Sequence, residues 1–136
     1  MRKRITVIAV TVAVAVIIII LGIYIAMLIS TNSVMREVRS AFLLELDPAV
    51  TEGRAIGAYN YDWLNRREGR EVDEIYLRLR RQLTFHNFQE GYIWVSYIYR
   101  VHDTAGRLMT SSRAGARWRI ERIDGEWEIV QIYEAP

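Results

Sequence analysis

The chain has 136 residues, with 18 Lys or Arg against 16 Asp or Glu, a formal net charge of +2 and no cysteine. The lack of cysteine excludes a disulfide framework and a thiolate metal site. Arg2, Lys3 and Arg4 precede an apolar run and all 16 acidic residues follow it, so the segment after the run is near neutral, which speaks against a nucleic-acid footprint.

Ile5 to Ile29 reads ITVIAVTVAVAVIIIILGIYIAMLI, with no charge inside it. About 20 apolar residues in a helix cross a hydrocarbon core of roughly 30 Å, and a helix pairs its own backbone groups while doing so. The run predicts a transmembrane helix over 5–29. By the positive-inside rule, the basic start predicts a cytoplasmic tail over 1–4 and one domain over 30–136 on the far side of the cell membrane. A cleaved signal peptide has an apolar core of about 7–15 residues, so an uncleaved signal-anchor is expected. Gly22 with Ala26, and Ala9 with Ala13, form the small-xxx-small pairs that let membrane helices approach closely.

Ser30 to Ser33 is a polar hinge rich in N-cap residues. Met35, Val38, Phe42 and Leu46 then recur at helical spacing, up to Asp47-Pro48. That pair is expected to start a second helix, with Asp47 as its cap and Pro48 in its first turn, and Ile56, Tyr59 and Trp63 on one face. Gly69 reads as a stop. From Glu71, the spacing of Val72, Ile75, Tyr76, Leu79 and Leu83 predicts a third helix; the competing reading is a strand, since Ile75, Leu77 and Leu79 alternate, and the charge gradient favours the helix. Acidic Glu71, Asp73 and Glu74 at its start and basic Arg78, Arg80 and Arg81 at its end suit a helix dipole, and Glu74 and Arg78 form an i,i+4 pair.

From Leu83 the period becomes two. LTFHNF predicts a short strand, Gln89-Glu90-Gly91 a turn, and YIWVSYIYRVHD a strand dense in aromatic and β-branched residues. A turn is expected at Thr104-Ala105-Gly106. Ala114, Ala116, Trp118 and Ile120 then share one strand face, with Arg113, Arg117, Arg119 and Glu121 on the other. Asp124-Gly125 is a hairpin signal, and EWEIVQIYE a last strand. Helices first and an antiparallel meander afterwards predict an α+β fold.

The ending RWRIERIDGEWEIVQIYEAP, with Trp118, Asp124, Gly125, Trp127, Ile129, Ile132 and Tyr133, resembles the terminal hairpin of the cystatin-like and nuclear-transport-factor-two-like superfamily. The resemblance implies helices packed on a curved antiparallel β-meander that forms a cone. A single span followed by such a domain is similar to several bacterial envelope families, among them scaffold subunits of conjugation and type IV secretion machines, proteins of lipid-import systems, and sporulation or secretion accessories. Members with isomerase activity use tyrosines and carboxylic acids inside the cone. Tyr59, Tyr61, Asp62, Tyr97 and Tyr99 are the candidates for such roles in this chain.

Tyr92, Trp94, Tyr97 and Tyr99 crowd one strand, so both its faces are apolar or aromatic. One face meets the helices. The other is expected to be exposed, and a large exposed apolar patch marks an interface. The leading expectation is therefore a non-enzymatic, membrane-anchored interaction module outside the cytoplasmic membrane. Tyr92, Trp94, Arg117 and Arg119 would dock an envelope protein or a second copy. The alternative is a cone that binds a lipid or small molecule, lined by Tyr59, Trp63, Tyr97 and Trp118. An isomerase-like enzyme is less favoured again. Arg66, Arg67 and Arg70 form a basic knot expected to be solvated. His86 and His102 lie on different strands without a second ligand at metal spacing, and His102-Asp103 is expected to be a solvated strand end. No catalytic residue, metal site or cofactor is assigned.

Overall fold

In a computed structural model, which describes residues 1–64, 69 and 71–135, the apolar run is helical throughout. Helix α1 spans Arg2–Ser30. It is long and apolar enough to cross a membrane, and none of its most apolar stretch is buried in the protein. After Thr31, helix α2 covers Asn32–Phe42 and buries Val34, Val38, Ala41 and Phe42. The helix expected to reach Leu46 stops at Phe42. Leu44 takes φ 59°, its N–H returns to the Ala41 carbonyl, and the Glu45 N–H returns to the Ser40 carbonyl. These two bonds are a Schellman closure with leucine in the left-handed position that glycine usually fills.

The second helix begins as expected and then breaks. Asp47 accepts the Ala49 N–H at 2.9 Å, and Pro48 opens helix α3, Pro48–Thr51. Gly53, at φ 72°, ends it, and a 3-10 helix follows over Ala55–Tyr59. Ile56 and Tyr59 are buried, but Trp63 is 47% exposed. The basic knot at Arg66, Arg67 and Arg70 lies outside the described residues.

The third expected helix is a strand. β1 runs Val72–His86 and pairs antiparallel with β2, Glu90–Asp103. Positions i and i+4 share a face in a strand as well as in a helix, so Glu74 and Arg78 could not decide between them. The alternation of half-buried Ile75, Leu77 and Leu79 with exposed Tyr76, Arg78 and Arg80 does decide. A bulge between Arg81 and Leu83 leaves Gln82 and Leu83 both exposed and turns Thr84 and His86 inward. This parity switch makes the sequence pattern restart at Leu83, so the first four residues of LTFHNF are the end of β1, not a separate strand, and Asn87 and Phe88 belong to the turn. The turn that follows centres on Asn87–Gln89, where Asn87 Oδ1 accepts the Gln89 and Glu90 N–H groups at 2.9 Å each. Gly91 already belongs to β2.

β3 spans Leu108–Ile123 and β4 Glu126–Glu134. They join through Asp124 and Gly125, both at positive φ, the geometry of a type I′ turn. The order β1-β2-β3-β4 makes an open antiparallel meander. Each strand pair carries a register shift, and bulges of this kind bend and twist strands. The architecture is α+β. α2 and the 3-10 helix bury their apolar residues together with Ile93, Val95, Tyr97, Tyr99 and Val101 of β2 and Trp118 and Ile120 of β3.

Candidate functional site: the outer face of the sheet

Strand alternation sends one set of β2 side chains into the core and leaves Tyr92, Trp94, Ser96 and Ile98 on the opposite face. Register places Arg119 beside Tyr92, Arg117 beside Trp94, Gly115 beside Ser96 and Arg113 beside Ile98. On the other flank stand Phe85, Leu83, Arg80 and Arg78 of β1. The four residues expected to dock a partner are thus brought together on one face. The Tyr92 and Trp94 rings are 5.8 Å apart. The Arg117 guanidinium lies 5.1 Å from the Tyr92 ring centre and 4.6 Å from that of Tyr133, within cation–π range. Arg119 is held by Glu121 at 2.5 Å.

No described element covers this face. Phe85 is 66% exposed, Leu83 and Tyr76 46% each, and Tyr133 37%. Arg78, Arg80, Arg100, Arg113, Arg117 and Arg119 lie on this face, and among the described residues only Arg119 of these has a carboxylate within 4 Å. Arg78, Arg80 and Arg113 border a hollow of about 480 Å³ floored by Ser96 and Gly115. The hollow exists because Gly115 carries no side chain and only a distant Val95 carbonyl would meet a Cβ there. A second hollow shares Ser96 and Gly115 and continues past Trp94, Arg117 and Tyr133. Together they form a groove along the β2–β3 seam, aromatic at one end and cationic at the other.

The opposite face is packed. Tyr59, Tyr97 and Trp118, three of the residues expected to line a cone, meet around Phe42 and Tyr99. The contacting ring centres lie 4.6 to 5.9 Å apart. Trp63, the fourth, is at the exposed margin, against Tyr61. Trp118 Nε1–H donates to the Tyr59 hydroxyl at 2.9 Å. The Tyr97 hydroxyl donates to Glu134 at 2.5 Å. Burial pushes the Tyr59, Tyr97 and Tyr99 hydroxyls above the ordinary tyrosine range, and for Tyr97 the Glu134 carboxylate adds to it. These hydroxyls therefore keep their protons: Tyr97 donates to Glu134, Tyr59 accepts from Trp118, and the Tyr99 hydroxyl has no hydrogen-bond partner among the described residues. Glu134 reads in the sequence only as the end of a strand, and nothing there marks it as the acceptor of a core tyrosine.

Sequence reading also missed the junction between α1 and the sheet. The Thr31 N–H turns back to the Ile29 carbonyl, so the Met27 carbonyl is left to side chains. The Ser30 and Thr31 hydroxyls donate to it at 3.0 Å each. His86, 1% exposed, brings Nε2 within 3.1 Å of the same carbonyl and of the Ser30 hydroxyl. Its Nδ1 accepts the Phe88 N–H at 3.0 Å, which assigns the ring proton to Nε2. Arg81 donates to the Leu28 carbonyl at 2.8 Å and to Asn32 Oδ1 at 3.0 Å. Burial lowers the affinity of its guanidinium for the proton. A cation at a helix C-terminus also meets the negative end of the helix dipole.

His102 is half-buried, and its Nδ1 has no partner among the described residues. Asp103 is not the solvated strand end expected. It is 1% exposed and accepts the Ala105 and Arg107 N–H groups at 2.9 Å. The Arg107 N–H, first among these contacts, holds its carboxyl below the usual range. Among the described residues no three His, Asp or Glu converge as metal ligands.

No protein-family model, curated protein or solved structure matches the chain.

Proposed function

We propose that the chain is a membrane-anchored docking module of a bacterial envelope system, of the cystatin-like kind. In this reading α1 is a single-pass anchor in the cell membrane, the basic tail is cytoplasmic and the α+β domain is extracytoplasmic. The outer sheet face engages an acidic envelope protein. One observation carries the reading: a sheet face is left uncovered, exposing Tyr76, Leu83 and Tyr133 beside arginines that lack carboxylate partners among the described residues. Fixed guanidinium groups without counter-charges favour an acidic surface, because an opposed carboxylate gains a charge-assisted and often bidentate bond. Exposed aromatics beside arginine are the composition of an interface centre. Anchoring in two dimensions raises the effective concentration of such a face near its partners.

The packed rings of Tyr59, Tyr97, Tyr99, Trp118 and Phe42 favour docking over the ligand-binding cone, since they occupy the space a ligand would need. The test is affinity capture from gently solubilised membranes with Trp94→Asp and Arg113→Glu, against Trp63→Asp as an exposed aromatic control. A stoichiometric partner lost with the first two variants and kept with the third is the expected result. A second copy in place of another protein would revise the partner. Identical capture with all three would refute the docking face.

A further inference from the structure

We infer that Phe85 and Phe88, at the β1–β2 turn, sit in the headgroup layer of the bilayer that α1 crosses, so that the sheet is seated on lipid and does not swing from a tether. The inference rests on reading α1 as the membrane anchor. The 29 residues of α1 reach about 44 Å at 1.5 Å per residue, which matches a bilayer of about 40–45 Å with its headgroups included. With α1 filling that thickness, its last turn, Met27 to Ser30, lies in the interfacial layer.

The β1–β2 turn is tied to that turn of α1. His86 Nε2 stands 3.1 Å from the Met27 carbonyl, and the Arg81 guanidinium stands 2.8 Å from the Leu28 carbonyl. The Phe88 ring packs edge-on against His86, with centres 4.9 Å apart. Phe85 is the next residue along β1 and points to the outer face, 66% exposed. Phe88 is thus tied through His86 to the end of the α1 apolar run, and Phe85 is the neighbour of His86 in sequence. The β3–β4 end is joined to the same β1–β2 turn, since the Arg122 N–H donates to the Gln89 carbonyl at 2.7 Å.

Three further features fit a lipid surface. Protein side chains satisfy the freed Met27 and Leu28 carbonyls, which is the arrangement that backbone groups near hydrocarbon require. Phe88 is held at φ 68°, a left-handed conformation costly for any residue with a Cβ, yet its ring stays 37% exposed. Contact with lipid gives that strained, exposed aromatic an apolar environment. Asn87, Gln89 and Glu90 in the same turn are exposed and polar, which confines immersion to the headgroup layer, the level at which aromatic side chains commonly anchor membrane proteins.

The chain has no cysteine, so single-cysteine variants can each carry one nitroxide. Phe85→Cys, Phe88→Cys, Ala105→Cys and Ile18→Cys of the full chain would be reconstituted into vesicles of phosphatidylcholine and phosphatidylglycerol. Accessibility to oxygen and to a water-soluble nickel chelate would then be measured by electron paramagnetic resonance. Near-ultraviolet circular dichroism of the aromatic core would check each fold, and Gln89→Cys would replace Phe88→Cys should the latter fail that check. The expected result is an oxygen-to-nickel preference at 85 and at 88 or 89 that lies between the strong oxygen preference at 18 and the nickel preference at 105. Nickel favoured at 85 and at 88 or 89 as strongly as at 105, while 18 reports hydrocarbon, would overturn the seating alone. Nickel favoured at 18 as well would overturn the anchor reading and the seating with it.

Discussion

Arg81→Met removes the guanidinium that joins α1 to the sheet while keeping an unbranched apolar stem of similar reach. Two bonds of good length are lost, to the Leu28 carbonyl and to Asn32 Oδ1, with a longer one of 3.5 Å to the Thr31 carbonyl. Hydrogen bonds from a charged donor contribute about 1.5–3 kcal/mol each, and an orphaned buried carbonyl costs about 1–3 kcal/mol. The helix dipole adds about 0.3–1 kcal/mol. Against this, methionine escapes the desolvation cost of the half-buried guanidinium, and the Asn32 bond is solvent-exposed, so both gains are discounted. The net expectation is a loss of about 2–4 kcal/mol. For a small domain with a urea slope of about 2 kcal/mol/M, this moves the unfolding midpoint down by about 1–2 M. The assay is urea unfolding of the full chain in detergent micelles, followed by tryptophan fluorescence. Arg81→Lys keeps a point charge without the planar fork and should fall between the two. A midpoint shift under about 0.3 M for Arg81→Met would refute the idea that this side chain holds the junction.

Three other outcomes follow from the core and the turns. Tyr59, Tyr97 and Tyr99 have raised pKa values in the folded state, so the unfolded chain loses these protons first. Stability is then fully present below about pH 10 and falls as pH rises above it, and tyrosinate absorbance should show these hydroxyls ionising only together with unfolding. Trp118→Phe deletes the donor to the Tyr59 hydroxyl and leaves a small void, at an expected cost of about 2–3 kcal/mol in thermal or urea unfolding. Gly91→Ala drives a Cβ into the Phe85 carbonyl and His86, and relieving that clash opens the β1–β2 turn at a cost of about 3 kcal/mol or more. Amide exchange across Thr84–Ile93 should speed up, while Gly106→Ala, in open space at φ 73°, should leave that segment unchanged.

The parts of the fold readable from the sequence are those set by local chemistry. The apolar run of α1, the Asp47-Pro48 helix start, the Asp124-Gly125 hairpin and the alternation of β2, β3 and β4 each follow from neighbouring residues. β1 was obscured by its own charge gradient and by the bulge at Arg81. Its identity depends on pairing with β2, a non-local contact that no window of β1 contains. The outer face was legible because alternation alone assigns Tyr92, Trp94, Arg117 and Arg119 to it, given the sheet. The hollow around Gly115 was not, since it is made by arginines from two strands separated by β2. His86 and Arg81 were illegible as a junction for a similar reason. Their partners are backbone carbonyls of α1, more than 50 residues away, and carbonyls carry no sequence signature.

The uncovered sheet face is tested most directly by crosslinking in native membranes. A photoreactive residue placed at Trp94, Ile98 or Arg113 of the groove, and at Glu52 or Ala105 away from it, reports what each position touches. Discrete adducts from the groove positions, absent at Glu52 and Ala105 and abolished in the groove by a charge-reversing Arg80→Glu, are the predicted result. Adducts distributed alike over groove and control positions would contradict a docking role for this face.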